Sequence, residues 1–485
     1  KDGDYEVKDT VWDGLREEPA RIALIDTGVS DHPNLVGRLR KDLAIDFGTD
    51  LGGAVYRGND PWQTVLQRWG STDAPPADAD RPAREPRGRL PKLHTAADFD
   101  SLLKDLNVHL GSARHKALVE TLIERTAKGV TIRDIDAQDQ RYPSHGTATA
   151  GLLVATPTFT ADGEFEPGTL PLFGVDPYSE LVPIATSFEP EPIQLILALL
   201  YAYVIGADVI HMPRGTENPG RAPRDEPREN FVPTRYGSHA EGWTMFEAVM
   251  IAVSRRIPVV CAAGNQGDDR LTYPASLAAD DNGIVAVGAV SALGRRSGYA
   301  SYGDGLTLVA PSNDSAVYNK HQIRLDPNAR GALTHRWTIH SRLAGRYVEY
   351  SHLAPLSIDV PGARGYRGGV GATVPGNRAA DFTLFGGTSA ASAIVAGVAA
   401  LMRRKVPANH KSGGPQWNGV LVRKTLAETA SQQIAGRDLR PDRSNHSDET
   451  HDDKALAKRL FGAGVVDAKA AIAAMAPPAP PASNT

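Results

Sequence analysis

A doubly wound α/β architecture, with a mainly parallel central sheet and helices on both faces, is what this 485-residue sequence predicts. Three observations lead there. Short apolar runs alternate with helical patterns over most of the chain, which is the rhythm of βαβ units. The runs are apolar throughout rather than at alternate positions, as in strands buried on both faces of a parallel sheet. Asp26 and Asn265 stand just beyond two of these runs, at the carboxyl edge where open α/β sheets place their sites.

In chain order, Ile22-Ala23-Leu24-Ile25 is the first strand and leads into Asp26. Further strands are predicted over Leu181 to Ala185, Asp208 to Met212, Ile257 to Ala263, Ile284 to Val290 and Leu306 to Ala310. Helices are predicted over Ile193 to Ile205, Gly242 to Arg256, Ser389 to Arg404 and Asn418 to Thr429. Three insertions break the rhythm. The first, at about 50–138, holds a Pro/Arg/Asp-rich loop (Ala74 to Pro91) and then a helical hairpin. Phe99, Leu102, Leu103 and Leu106 recur there at i, i+3, i+4 and i+7, with Thr95 as N-cap, and Leu118, Val119, Leu122 and Ile123 form a second stripe. Residues 213–238 form a Pro/Arg-rich loop. Residues 312–380 hold alternating segments, Arg336-Trp337-Thr338-Ile339 and Tyr347-Val348-Glu349-Tyr350, that predict a small β-rich insertion. Residues 476–485 form a Pro/Ala-rich tail, expected to be extended and disordered.

Length alone would suggest two or three domains. The chemistry-bearing motifs spread from 26 to 389 and must meet in one site, so residues 1–475 are predicted as one catalytic domain carrying the insertions. Net charge is −4, from 53 basic against 57 acidic residues, so no global field favours nucleic acid or a membrane surface. The longest apolar stretch, Leu195 to Ala207, covers 13 residues and is too short to span a bilayer. The single cysteine, Cys261, sits in an apolar strand and reads as a packed structural thiol. No signal peptide is seen, and the chain begins at Lys1, so an upstream piece is expected to be missing. The expectation is a soluble protein, either secreted after processing or cytoplasmic.

Ser389 lies in Gly386-Gly387-Thr388-Ser389-Ala390-Ala391-Ser392, directly before an apolar helix. Free backbone N–H groups and the dipole at a helix N-terminus favour developing negative charge, and small neighbours admit a peptide carbonyl. Alone, this serine is equally a helix cap. His145 lies in Ser144-His145-Gly146-Thr147, a second small-residue junction leading into a helix. Asp26 precedes Thr27-Gly28, where a carboxylate either caps a helix or orients an imidazole. Asn265, in Ala263-Gly264-Asn265-Gln266-Gly267, offers a side-chain N–H to an oxyanion, or simply tolerates a left-handed turn. Together the four supply hydroxyl, base, orienting carboxylate and oxyanion donor, the set that nucleophilic acyl transfer requires.

These segments resemble the subtilisin-like serine protease family (the subtilases). The likeness extends to His32-Pro33-Asn34-Leu35, Gly174-Val175-Asp176-Pro177, Tyr273-Pro274-Ala275 and Leu308-Val309-Ala310-Pro311, in colinear order. It implies a serine endopeptidase with an Asp26/His145/Ser389 triad and Asn265 as oxyanion donor, acting on a protein or peptide substrate without a cofactor or catalytic metal. Substrate would lie along Pro213, Arg214 and Gly215, and Ala262, Ala263 and Gly264 would wall the pocket for the residue before the cut.

The sequence also departs from the family. His211-Met212-Pro213-Arg214-Gly215 stands where Asn-Met-Ser-Leu-Gly is usual, so a donor is lost at Pro213 and the neighbouring subsites are altered. Asn34 replaces an Asp that helps hold calcium in many members, and that calcium site is not predicted. The 119 positions separating Asp26 and His145 exceed what a minimal member needs. The insertions at 50–138 and 312–380 are therefore expected either to cover or gate the cleft and offer a surface to a regulatory partner, or to be peripheral decoration. Only 25 residues precede Asp26, so an inhibitory prodomain is expected to have been cleaved or control to run by another route. Two other functions fit the same residues: a peptide ligase or cyclase using the same acyl-enzyme, and a non-catalytic peptide-binding module.

Overall fold

The computed structural model describes residues 12, 14, 15, 18–47, 95–127, 142–165, 170–187, 190–215, 237–314, 336–341, 346–351, 353–361, 366, 381–407, 413–440 and 453–475. The proline-rich loop at Ala74 to Pro91, most of the 213–238 loop and the 476–485 tail lie outside the described residues.

Strands β1 (Arg21–Asp26), β2 (Ile45–Asp46), β3 (Glu180–Ala185), β4 (Val209–Met212), β5 (Val259–Ala262), β6 (Ile284–Val290) and β7 (Leu308–Pro311) form one sheet. Its order is β2-β3-β1-β4-β5-β6-β7, and every pairing is parallel. The helices are α1 (Ala96–Asp105), α2 (Ser112–Ala127), α3 (Tyr142–Val154), α4 (Pro192–Val204), α5 (Gly237–Arg256), α6 (Gly387–Lys405), α7 (Gly419–Glu428), α8 (Asp453–Phe461) and α9 (Ala468–Ala474). Side chains of a strand alternate between faces. Accordingly Ala23 and Ile25 join one core with α4 and α5, whereas Ile22 and Leu24 join the other with α3 and α6. The sheet is thus covered on both faces, as the uniformly apolar runs predict. Strand order reverses around β1, and Asp26 ends that strand, at the position open α/β sheets use for a site.

Buried ion pairs fix the helix that carries Ser389. Arg403 of α6 donates from Nε to Asp208 Oδ1 (2.8 Å) just before β4, with both side chains fully buried. Arg404 donates to Asp176 Oδ1 (2.7 Å). Breaking such a pair by deleting one partner costs roughly 3–5 kcal/mol, so α6 is tightly registered against the sheet. β7 begins two residues later than predicted, because Leu306 belongs to the turn in which its N–H donates to Gly303 O (3.3 Å).

The predicted hairpin is α1 and α2. Thr95 caps α1 in a capping box, accepting from the Asp98 N–H (3.3 Å) while Asp98 accepts from the Thr95 N–H (2.8 Å). Phe99, Leu102, Leu103, Leu106, Leu118 and Leu122 are buried, each side chain contributing about 1.5–3 kcal/mol of burial energy. The hairpin docks on α4 and α5 and not over the cleft. Tyr203 OH and Arg256 Nη2 donate to the Asp105 carboxylate and carbonyl (2.7 and 3.0 Å). Both partners come from the chain leading into β4 and β5, so Asp105 is held at the edge opposite Asp26.

Within 312–380, β8 (Arg336–Ser341) and β9 (Arg346–Ser351) form an antiparallel hairpin. β10 (Leu356–Ile358) pairs with β11 (Phe382–Leu384), which lies just beyond the insertion. The β10–β11 ribbon rests on α3: Ser357 Oγ donates to Ala148 O (2.6 Å). Two short strands, β12 (Gln433–Ile434) and β13 (Arg437–Asp438), close a small turn near the end. Among the described residues, no helix is long and apolar enough to cross a membrane.

Candidate active site

Three elements converge at the carboxyl edge of the sheet. Asp26 ends β1, His145 lies in the first turn of α3, and Ser389 is the third residue of α6. His145 Nδ1 is 2.7 Å from Asp26 Oδ2, and its Nε2 is 3.0 Å from Ser389 Oγ. The second oxygen of Asp26 accepts from the Thr27 N–H (2.7 Å), so both carboxylate oxygens are engaged. Burial alone would raise the Asp26 pKa. The charge and hydrogen bond of the His145 ring, with help from the Arg214 guanidinium and the Thr27 N–H, outweigh it and hold the carboxyl below its ordinary value. Asp26 therefore stays ionised beside the ring.

Gly146 sets how closely α3 approaches β1. A Cβ there would fall 1.9 Å from Gly28 O, so only glycine permits this contact. The next residue adds a bond: the Ser30 N–H donates to Thr147 Oγ1 (2.9 Å).

Asn265 lies beside the turn that carries Ser389. Its Oδ1 accepts from the Thr388 N–H (2.9 Å) and from Thr388 Oγ1 (3.0 Å), and Thr388 Oγ1 in turn accepts from the Gly264 N–H (3.1 Å). With the oxygen held, the planar amide must present its Nδ2 on the other side, where it makes no hydrogen bond among the described residues. Gly387, at φ +81°, brings the chain close to this amide; a Cβ there would lie 3.1 Å from Nδ2. The Gly387 N–H is taken by Tyr299 OH (3.0 Å).

The residues predicted to bind substrate border the same point. Pro213 O is 3.0 Å from Ser389 Oγ, so the serine hydroxyl has two acceptors and donates to one at a time. Arg214 turns inward, donating from its two Nη atoms to Thr186 Oγ1 (2.8 Å) and Ser187 O (2.7 Å). Gly215 is exposed, and Ala262 and Ala263 are buried at the end of β5. A pocket of about 350 Å³, counting the part open to solvent, is lined by Ile25, Thr186, Met212, Arg214, Gly215 and Tyr273 among others. Gly264, at φ +115°, starts the turn towards Asn265.

Three further residues shape the site. Thr388 was legible only as a small neighbour of the serine, although it clamps Asn265. His211 is fully buried, and its Nε2 lies 3.0 Å from Ser392 Oγ. Ser392 Oγ donates to Ser389 O (2.9 Å), so it accepts from His211, which fixes the Nε2–H tautomer. Burial pushes the His211 pKa down to about 3, keeping that ring neutral. Phe385 packs edge-to-face on His145, with ring centroids 5.5 Å apart. The departure at His211 was visible in the sequence; the partners of all three were not.

Asn34 donates its amide to Thr156 O (2.8 Å). Among the described residues, no group of three or more His, Cys, Asp or Glu side chains converges to hold a metal. Cys261 is buried, which pushes its thiol pKa up and leaves it unreactive.

A serine, an imidazole and a carboxylate thus stand in one hydrogen-bonded line at the edge of a doubly wound sheet. The Subtilase family model matches residues 19–464, and the chain belongs to that family, the subtilisin-like serine proteases. It is 29% identical over 195 residues to an alkaline elastase of Bacillus sp. (strain YaB), covering 40% of this chain and 33% of that protein. It is 30% identical over 181 residues to an intracellular serine protease of Paenibacillus polymyxa, covering 36% of this chain and 44% of that protein. The chain thus spans between a third and a half of the length of these relatives. The crystal structure of an epidermin leader peptide processing serine protease from Staphylococcus aureus aligns with 96% of this chain and 77% of its own, at 16% identity and a TM-score of 0.48.

Proposed function

We propose that this chain is a serine endopeptidase that cuts peptide bonds through an acyl-enzyme on Ser389. One observation carries the reading: the unbroken line from Asp26 through His145 to Ser389, with spacings of 2.7 and 3.0 Å. Ser389 Oγ attacks the peptide carbonyl while His145 Nε2 takes its proton. Asp26 holds the Nδ1–H tautomer and supports the imidazolium that forms. The carbonyl oxygen becomes an oxyanion, which Asn265 Nδ2 and the Ser389 backbone N–H at the start of α6 stabilise.

The leaving amine then takes the proton from His145 Nε2, and water, deprotonated by the same ring, releases the acyl group. The acyl half of the substrate lies along Pro213 to Gly215. Pro213 lacks an N–H but keeps its carbonyl, and that carbonyl receives the N–H of the residue before the cut. Ala262 to Gly264 wall the space for that residue's side chain. The chemical step as written uses no metal or organic cofactor.

Incubation with an unfolded protein in H₂¹⁸O, followed by mass spectrometry, tests this. Wild type is expected to generate internal fragments whose new carboxyl groups carry ¹⁸O, and Ser389→Ala none. Internal cleavage that persists in Ser389→Ala contradicts the assignment, as does joining of peptides without hydrolysis.

A further inference from the structure

An exposed aromatic residue stands two ring contacts away from the His145 imidazole. Phe385, whose ring meets the His145 imidazole at 5.5 Å and 75°, is itself only 5% exposed. Its N–H donates to Pro355 O (2.9 Å), which ties it to the chain entering β10. Tyr366, from the 312–380 insertion, packs on Phe385 in turn, at 6.2 Å and 32° between rings, while 44% of it stays exposed. The Tyr366 N–H donates to Asp359 Oδ1 (3.0 Å), which also accepts from the Val360 N–H (2.8 Å). An anchored aromatic series therefore runs from the catalytic imidazole to solvent.

The chemistry decides which half of a peptide meets it. Pro213 and Asn265 attend the acyl half. The leaving amine collects its proton from His145 Nε2, so it departs past the imidazole, against which Phe385 packs. An extended chain advances about 3.4 Å per residue, which brings the ring contacts within reach of the first two residues after the cut.

We propose that Tyr366, backed by Phe385, is a specificity-determining residue that selects an aromatic side chain within the two residues following the scissile bond. The proposal rests on the acyl-enzyme reading above. An aromatic pair of this kind is worth roughly a 3- to 10-fold preference.

Acyl transfer isolates this side of the cleft. A peptidyl methyl ester loads Ser389 and releases methanol, and added amines then compete for the acyl group. The amine nitrogen bonds to the acyl carbon, the Ser389 Oγ–carbon bond breaks, and the amine proton returns to Oγ through His145. The probes are Phe-Gly-NH₂ against Ala-Gly-NH₂ and Gly-Phe-NH₂ against Gly-Ala-NH₂. Each ratio is read on one acyl-enzyme, so losses in loading or folding cancel.

Wild type is expected to favour Phe over Ala roughly 3- to 10-fold in at least one position. The preference is expected to fall within about twofold in Tyr366→Ala and to persist in Tyr366→Phe. Equal capture of Phe and Ala by wild type, or an unchanged ratio in Tyr366→Ala, overturns the proposal. Failure of wild type to release methanol is a separate result: it overturns the acyl-enzyme reading itself.

Discussion

Replacing Thr388 by valine removes one oxygen while keeping the side-chain shape. Two bonds go with it: Thr388 Oγ1 to Asn265 Oδ1 (3.0 Å), and the Gly264 N–H to Thr388 Oγ1 (3.1 Å). The Thr388 N–H to Asn265 Oδ1 bond (2.9 Å) remains, so the amide loses one of two restraints. A single net hydrogen bond is worth about 0.5–1.5 kcal/mol, which corresponds to roughly a 3- to 10-fold fall in kcat if felt at the transition state. Asn265 is proposed to act when the oxyanion forms, so KM is expected to change little. The orphaned Gly264 N–H, beside a fully buried Thr388, adds a stability loss of about 1–3 kcal/mol. Steady-state kinetics on a chromogenic peptide substrate and urea unfolding read the two effects separately, and Thr388→Ser should restore both. If Asn265→Ala loses activity while Thr388→Val keeps full kcat, Asn265 is not oriented in this way.

Gly146→Ala places a Cβ 1.9 Å from Gly28 O and forces α3 away from β1; a displacement of about 1 Å is expected to cost on the order of 100-fold in kcat/KM with helical content retained by circular dichroism. His211 is neutral in the fold down to about pH 3, whereas the unfolded chain protonates it below about 6.5. Its contribution is therefore constant above 6.5 and stability is lost as pH falls, by about 1.4 kcal/mol per unit, so His211→Asn should show a shallower loss of urea midpoint between pH 6.5 and 4. Glu180 is buried, which would raise its pKa, but Arg21 and Arg40 outweigh that and hold it below its ordinary value of 4.5. Its stabilisation is present above about pH 4.5 and lost as pH drops through the lower folded value. Glu180→Gln should cost about 3–5 kcal/mol at pH 7, in a gap that narrows in acid.

Local and periodic features were the most legible in the sequence. The Thr95 capping box joins residues three apart, and the hairpin's burial follows its i, i+3, i+4 spacing. The strand runs were readable because both faces of a parallel sheet are buried, leaving no polar alternation to confuse them. Asp26, His145 and Ser389 were singled out by their small-residue surroundings, and the structure brings the three within hydrogen-bonding distance, with Gly146 and Gly387 allowing the close approaches.

What the sequence hid depends on long-range contacts. Asp105 reads as an ordinary helix-end carboxylate, yet Tyr203 and Arg256 hold it and place the hairpin away from the cleft. Arg214 was legible as a bulky substitution, but its inward turn depends on Thr186 and Ser187. Phe385 and Tyr366 are 19 positions apart, and no periodicity announces the ring contacts that run from His145 through Phe385 to Tyr366.

Covalent labelling with a fluorophosphonate asks most directly whether Ser389 is a nucleophile activated by His145. Intact mass should rise by one probe per folded chain, with the adduct on the Ser389 peptide, slow labelling in His145→Ala and none in Ser389→Ala. A folded wild-type chain that stays unlabelled, or an adduct that survives in Ser389→Ala, would show that the aligned hydroxyl is not the reactive group.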